Sequence, residues 1–475
     1  MLSYFPKYCS NRAIYLYLAL LLIVSVAFGY PMRWYWWLFG LVEVVGFFWV
    51  SNKLTSAWSC YSPTTFRKKV FSTALIIRLV FVLFSYFFYI EVANDYMGFG
   101  AADANTYHIF AVRGAEMIGN GEYNFHEQFN AMGFFSRGVD IADMGYPIVQ
   151  SFLYYLTGNS RIISRCFNVL LSAWTVTMMY GFTRRNFGEK VARMTAIFCM
   201  LMPNLIFYCS MQLKETMMLW LTVAFIDRTD VLLRSSKATF QSVVVVVALG
   251  GIMYFFRAIL SVVLFLTLFT ALVLSSTRMV KWGRRVLIGL LIALLMGTTF
   301  WNVISENLHS GEYDDLHTSQ QTNMEWRSER ENGNQLAKYA GAVVFAPLIF
   351  TIPFPTMVDI PEQETQQLIH GGNYVKNITS FFTILALLFL LLSKKWKEHV
   401  LPAAFLCGYL VVLVFSNYAQ SERFHIPILP FSLMFAAYGV SQMTNRHKLW
   451  FDWWMAFILV ANIGWTWFKL RGRGM

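Results

Sequence analysis

The chain has 475 residues, of which 57% are hydrophobic, 18% aromatic and only 13% charged, where a soluble domain carries roughly 25% charged residues. That leaves too little polar material to cover a water-facing surface, which excludes a soluble globular protein. The formal charge of +12 invites a nucleic-acid partner, but the basic residues sit in short connections between apolar runs and form no binding patch. These clusters are Lys53 with Arg67, Lys68 and Lys69; Arg184, Arg185 and Lys190; Arg278, Lys281, Arg284 and Arg285; and Lys394, Lys395 and Lys397. This is the positive-inside pattern of a multi-pass membrane protein.

Apolar runs approaching the ~20 residues needed to span a bilayer recur to the C-terminus, and give about 11–12 transmembrane helices. The alternating segments of about ten residues that mark a membrane β-barrel are absent. The predicted fold class is an all-α polytopic membrane protein whose extracytoplasmic loops carry short interfacial helices. Of the 26 acidic residues, eight lie between Glu91 and Asp143 and seven between Glu306 and Glu331. Both stretches are assigned to the extracytoplasmic face. The six cysteines are scattered without a CxxC pair, so neither a disulfide framework nor a zinc site is expected.

In chain order, Ala13 to Ala27 is the first apolar run. Ser25-Val26-Ala27 has the small-residue spacing of a signal-peptidase site, but Trp34 to Val50 follows at once as a second span, which favours a retained first helix. Ser51 to Lys69 reads as a basic cytoplasmic loop, closing an N-terminal unit, 1–69. The core, 70–303, begins with Val70 to Ile90, which delivers the chain to the acidic outer loop 91–145. Within that loop Ala101 to Ile118 has helical spacing and reads as an interfacial helix, ended by Gly119-Asn120-Gly121. Tyr146 to Leu156 is too short to span and reads as a second surface-lying segment. Ile162 to Phe182 crosses inward, and Val191 to Cys209 returns with Pro203 bending or ending it. Lys214 and Glu215 then stand at the mouth of the helix Met217 to Ile226. Ser242 to Phe256 and Ala258 to Ser276 form a pair hinged near Arg257, and Val286 to Val303 leads to the second polar loop. In the region 304–377, the proline-interrupted run Ala340 to Met357 reads as a re-entrant or surface-packed segment. The C-terminal helices, 378–475, comprise Phe381 to Leu392, Val400 to Ser416, Ile426 to Val440 and Trp450 to Trp467. By strict alternation the final Lys469, Arg471 and Arg473 land outside, against the positive-inside pattern.

Three groups carry candidate chemistry. Asp103 shares a helix face with Tyr107 and lies near His108, as a general base with tuning partners would; its ordinary role would be to solubilise a short interfacial helix. Lys214-Glu215 is a charge pair at the edge of apolar helices, which marks a site or an internal ion pair unless both side chains snorkel to the interface. Arg257 and Arg423 each interrupt apolar sequence on the outer side. They suit an anionic phosphate or pairing with an internal carboxylate such as Glu422. No phosphate loop, dinucleotide fingerprint, H-E-x-x-H or G-x-S-x-G is present, so a soluble nucleotide donor has no evident place to bind.

The ordered set Asp103-x-x-x-Tyr107-His108-x-x-Ala111, Gly145-Tyr146-Pro147, Gly158 with Arg165 and Asn168, Pro203, Lys214-Glu215 and Glu422-Arg423-Phe424-His425-Ile426-Pro427 resembles the GT-C superfamily of integral membrane glycosyltransferases. Within it the pattern is most similar to the bacterial branch related to protein mannosyltransferases and the lipid A aminoarabinose transferase. The resemblance implies a polyprenyl-phosphate-linked sugar donor, a glycan, lipid or protein acceptor, and an active site on the extracytoplasmic side of the cell (inner) membrane. It also implies inverting transfer with Asp103 as general base. Tyr107, His108, Tyr146, Arg165, Lys214, Glu215, Arg257 and Arg423 are the expected substrate and lipid-phosphate contacts. The chain departs from the family in having two apparent helices before the one that enters the acidic loop. It also has Ala104 where many members carry a second acidic residue, which leaves Asp95 and Asp143 as alternative carboxylates. No cluster has metal-ligand spacing, so no metal site is assigned; an acidic loop with a lipid phosphate is nonetheless a setting for a divalent cation. Two other readings stand beside this one. In a polysaccharide polymerase or O-antigen-ligase-like enzyme the weight would shift to His309, His317, His370 and Arg327. A lipid-linked sugar transporter would be marked by an internal repeat, which the sequence lacks.

Overall fold

The computed structural model describes residues 2–94, 98–99, 102–130, 143–235, 239–274, 322, 324–325, 328–329, 333–339, 341–416 and 418–475. The helices, in order, are α1 (Lys7–Phe28), α2 (Trp34–Ala57), α3 (Pro63–Ala93), α4 (Ala102–Gly119), α5 (Phe125–Asn130), α6 (Gly145–Thr157), α7 (Arg161–Phe187), α8 (Glu189–Leu201), α9 (Pro203–Ser210), α10 (Glu215–Arg234), α11 (Phe240–Tyr254) and α12 (Ala258–Leu274). After the second polar loop come α13 (Ala342–Leu348), α14 (Glu364–Leu368), α15 (His370–Leu392), α16 (Val400–Phe415), α17 (Glu422–His425), α18 (Leu429–Ser441) and α19 (Asn445–Arg471). There is no strand among the described residues. Among those residues seven helical segments are long and apolar enough to cross a membrane, and the α8–α9 pair, bent by 48°, makes an eighth if counted as one span. α11 and α12 are shorter apolar helices. The expected span Val286 to Val303 lies outside the described residues. The protein is an all-α, multi-pass membrane protein.

Several boundaries differ from the sequence expectation, for one reason: hydropathy marks the lipid-facing window, not the end of the helix. The expected loop Ser51 to Lys69 is mostly helical, because α2 runs on to Ala57 and α3 already begins at Pro63. There Ser62 supplies the cap, its hydroxyl accepting from the Thr65 amide at 3.3 Å, and Pro63 fits the first helical position. α15 begins at His370, well before the apolar run that starts at Phe381. Its first turns carry Asn373, Lys376 and Asn377, all buried against protein.

Those buried polar groups have a purpose. After α13 the backbone from Thr351 to Val358 is irregular and buried. Backbone of this kind is tolerated at membrane depth only where protein satisfies it. Lys376 donates to the Ile352 carbonyl, and Asn377 donates to the carbonyls of Thr351 and Pro353. Of the run from Ala340 to Met357, the described residues are thus a short helix followed by an irregular buried segment held by α15.

Pro203 breaks the α8–α9 span and cannot donate to the Cys199 carbonyl, its partner in a continuous helix. The fully buried Arg78 of α3 fills the gap, donating to the carbonyls of Cys199 and Met200 at 3.1 Å each and to Ser172 Oγ at 2.8 Å.

The two ends of the bundle differ in charge. At one end Arg193 donates to the carbonyls of Trp58 and Tyr61 at 2.9 and 2.7 Å. There too Arg185 pairs with Asp230 at 3.0 Å, and Phe187 stacks on His399 with centroids 4.1 Å apart. The basic connections around residues 67–69, 184–190 and 394–397 gather at this end, and the cluster from Arg278 to Arg285 lies outside the described residues. The opposite end holds α4, α6, the α9–α10 and α11–α12 connections, α17 and the last turn of α19.

Arg78→Met is expected to destabilise the protein by about 3 kcal/mol, since it leaves two buried carbonyls without donors. Thermal unfolding in detergent, with Arg78→Lys as a partial rescue, measures this.

Candidate active site

Four stretches far apart in sequence meet at the end of the bundle opposite the basic connections. α6 starts at Gly145, whose amide donates to the Phe255 carbonyl at 2.8 Å. A Cβ there would meet that carbonyl oxygen at 2.9 Å and the Phe256 ring, so only glycine lets the α11–α12 turn sit so close. Lys214, in the cap position of α10, donates to the Phe256 carbonyl at 2.8 Å and forms an ion pair with Asp143. These contacts bring Asp143, Tyr146, Lys214, Glu215 and Arg257 to one place.

Arg423 of α17 closes the cluster. Its guanidinium bridges two carboxylates, Asp103 of α4 and Glu215 of α10. Both carboxylates lie in the first turn of their helices, where the helix dipole favours negative charge. Exposure separates their roles. The Glu215 side chain is 1% exposed and the Asp103 side chain 55%, so Glu215 anchors the arginine while Asp103 faces the accessible side. Tyr107, on the same face of α4 as Asp103, is buried, with its ring edge against Tyr146 at 5.6 Å between centroids. Burial and the neighbouring Glu215 raise its pKa.

Arg257 stacks on Phe424 with its guanidinium carbon 4.2 Å from the ring centroid, and Phe424 in turn stacks on Tyr418 at 4.1 Å. Among the described residues no carboxylate lies within ion-pair distance of Arg257, and its Nη1 is buried without a hydrogen-bond partner. The Oε2 of Glu215 is likewise buried and unpartnered. Burial pushes the Lys214 pKa down to about 7, helped by Arg257 and Arg423 and opposed by Glu215 and Asp103.

Behind this cluster a second polar layer fixes orientation. Asn168 donates to the Tyr146 hydroxyl at 3.0 Å and to the Met211 carbonyl at 3.1 Å. Arg165, fully buried in α7, lies over the Tyr86 ring at 5.6 Å, on the α3 side of the site. His108 lies in a side network. Arg161 donates to its Nε2 at 2.8 Å and its Nδ1 meets the Tyr154 hydroxyl at 2.8 Å. Because an arginine can only donate, the proton sits on Nδ1. Burial, with Arg161 adding, lowers the His108 pKa to about 4, which keeps the ring neutral and both nitrogens engaged away from Asp103.

Sequence reasoning missed Lys376, Tyr208 and Tyr409. Lys376 donates to His425 Nδ1 at 2.9 Å, while His425 Nε2 donates to the Ala419 carbonyl at 2.8 Å. Tyr208 donates to Glu422 at 3.3 Å, and Tyr409 of α16 is a polar neighbour of Arg257. A lone lysine so close to an apolar run was the one available signal. Asp95, His309, His317 and Arg327 lie outside the described residues. His370 is buried in the bundle, between the Tyr17 hydroxyl at 2.7 Å and the Gln367 carbonyl at 2.6 Å. Among the described residues no group of three or more His, Cys, Asp or Glu side chains could hold a metal ion.

Arg423→Gln should destabilise the protein by about 3 kcal/mol by stranding the buried Glu215 charge. Glu215→Gln added to it should return most of that loss, as read by thermal unfolding of the single and double variants.

No protein-family model and no curated protein matches the chain. A solved structure, ArnT from Cupriavidus metallidurans bound to undecaprenyl phosphate, is similar over 84% of this chain at 13% sequence identity and a TM-score of 0.49. The chain spans 64% of that protein's length.

Proposed function

We propose that the protein is a membrane glycosyltransferase that moves a sugar from a polyprenyl-phosphate donor to a hydroxyl of a cell-envelope glycan, lipid or protein. The observation that carries this reading is the pairing of an accessible carboxylate, Asp103, with a cation that has no carboxylate partner among the described residues, Arg257, in one cluster at one end of a membrane bundle. The first suits a proton acceptor and the second a lipid phosphate. The motif order that resembles GT-C enzymes supports it independently. The gathering of basic connections at the opposite end supports a site on the extracytoplasmic face of the inner membrane.

The chemistry follows from the cluster's charges. Arg423 holds Asp103 in an ion pair. A donor phosphate seated against Arg257 and Lys214 competes for Arg423 and leaves Asp103 free to accept a proton from the acceptor hydroxyl. The acceptor oxygen then attacks the anomeric carbon from the face opposite the phosphate. The bond from that carbon to the phosphate oxygen breaks, and its electron pair leaves with the lipid phosphate. Arg257, Lys214 and Arg423 stabilise the charge that develops on the leaving group. Glu215 keeps Arg423 in place, and Tyr107 and Tyr146 shape the wall beside Asp103.

Asp103→Asn should lower sugar transfer by at least ~100-fold, the scale of a lost general base, with expression and membrane insertion intact. Near-normal turnover by that variant from a polyprenyl-phosphate sugar would overturn the assignment. The pH profile tests Lys214. It is charged below its pKa, and the adjacent Asp143 carboxylate also favours the charged form, so transfer should fall as pH rises through and above about 7. Lys214→Arg, permanently charged, should move that limb upward; a profile flat between about pH 6 and about pH 9 would remove Lys214 from the mechanism.

A further inference from the structure

A polar cavity of about 350 Å³ opens beside the ion-pair cluster, separate from it: none of Asp103, Lys214, Glu215, Arg257 or Arg423 lines it. Its wall comes from Gln363 and Gln366 around α14, from Gln420 just before α17, and from Trp465, Phe468, Lys469 and Arg473 at the end of α19. One stretch of chain, Gln420 to Arg423, lines the cavity at its start and carries the Asp103–Glu215 bridge at its end. α14 also reaches the first outer loop, where Thr365 donates to the Phe99 carbonyl at 3.1 Å.

The cavity is rich in donors and short of acceptors. Among the described residues Lys469 and Arg473 are its only charged lining groups, and no carboxylate of those residues lines it. Lys469 already consumes the amide oxygens of Gln363 and Gln366, at 2.9 and 2.7 Å, together with Thr356 Oγ1 at 2.6 Å. The Gln420 amide nitrogen and the Trp465 indole nitrogen are buried with no acceptor at all. Buried donors are normally satisfied, so an occupant that completes this wall brings oxygen atoms and negative charge. It also meets a flat apolar surface, because the Trp465 and Phe468 rings stack at 18° with centroids 5.4 Å apart. A sugar ring offers both a C–H face for an aromatic plane and a rim of oxygens.

We propose that this cavity is a subsite for an acidic sugar unit of the acceptor, one that bears a carboxylate or phosphate. The anionic group faces Lys469 and Arg473, the ring lies against Trp465, and the hydroxyl oxygens accept from Gln420 and the indole. The acceptor role rests on the transferase reading; the binding does not. The subsite also gives a reason for the basic residues at the end of α19, which conflict with the positive-inside pattern: they serve a ligand on the side where the site lies.

The test uses the full chain in nanodiscs, with a glucuronate-terminated disaccharide and its neutral glucose counterpart as probes, and binding followed by calorimetry or saturation-transfer NMR. The acidic probe should bind about tenfold more tightly than the neutral one, the scale of one charge-assisted hydrogen bond. Arg473→Gln should erase that preference and Arg473→Lys should retain much of it, which separates charge recognition from a folding defect. Trp465→Phe, which removes only the indole donor, should weaken the acidic probe severalfold. Equal affinity for the two probes, or an acidic preference that survives both Arg473→Gln and Trp465→Phe, would overturn the subsite. Inorganic phosphate that competes as strongly as the disaccharide would reduce it to an anion hole and overturn the sugar assignment. Binding of the acidic probe by protein that transfers no sugar from any polyprenyl-phosphate donor would sink the transferase reading and leave the subsite standing.

Discussion

Inside a membrane, a backbone carbonyl that loses its helix partner has no water to turn to, and the architecture of this protein is arranged around two places where that happens. At Pro203 the α8–α9 span breaks, and Arg78 reaches across from α3 to occupy the Cys199 and Met200 carbonyls. At Thr351 to Pro353 the chain leaves helical geometry altogether, and Lys376 and Asn377 of α15 take its carbonyls. The first break lets α9 end where Lys214 and Glu215 can enter the site. The second seats the irregular segment beside α19 and α15, next to His425 and the turn that carries Arg423. Both departures from regular helix therefore lead to the same end of the bundle.

The site repeats the logic with charge. Glu215 is almost completely buried, and a buried carboxylate needs a partner of opposite sign with good geometry. Arg423 meets that need, and its remaining donors extend to Asp103, which is half exposed. A buried anchor and an exposed working group on one guanidinium make a cluster that is rigid on one side and responsive on the other. Arg257 is held by aromatic stacking on Phe424 and has no carboxylate partner among the described residues. The polar cavity at the end of α19 follows a different rule, with the Gln420 amide and Trp465 indole donors buried and unpartnered in its wall.

Much of this was legible in advance. Composition and run length establish the all-α, multi-pass class, because lipid-facing surface has to be apolar whatever the tertiary packing. Among the described residues the positive clusters anticipated which connections share an end, and Pro203 announced a break. The residues proposed for the site, Asp103, Lys214, Glu215, Arg257 and Arg423, do gather, since charges inside apolar sequence are costly unless they meet one another. Helix boundaries were less legible. α15 hides its first turns behind buried asparagine and lysine, which hydropathy reads as loop. The loop residues Asp95, His309 and His317 fall outside the described structure, so their expected roles rest on sequence alone.

What the sequence determined by itself was the class, the end-to-end charge asymmetry and a short roster of charged residues that had to find partners. Which partners they found was decided only by the tertiary structure. Arg423 could have paired with its neighbour Glu422, but Glu422 is turned toward Tyr208, and Arg423 reaches residues hundreds of positions away in α4 and α10. His108, which stood beside Asp103 on paper, is drawn off by Arg161 and Tyr154. Lys469, anomalous by alternation, becomes part of a cavity wall. Ion pairing and hydrogen bonding act over a few ångströms, and spacing along a chain says little about which long-range neighbours the packing of helices will bring within that reach.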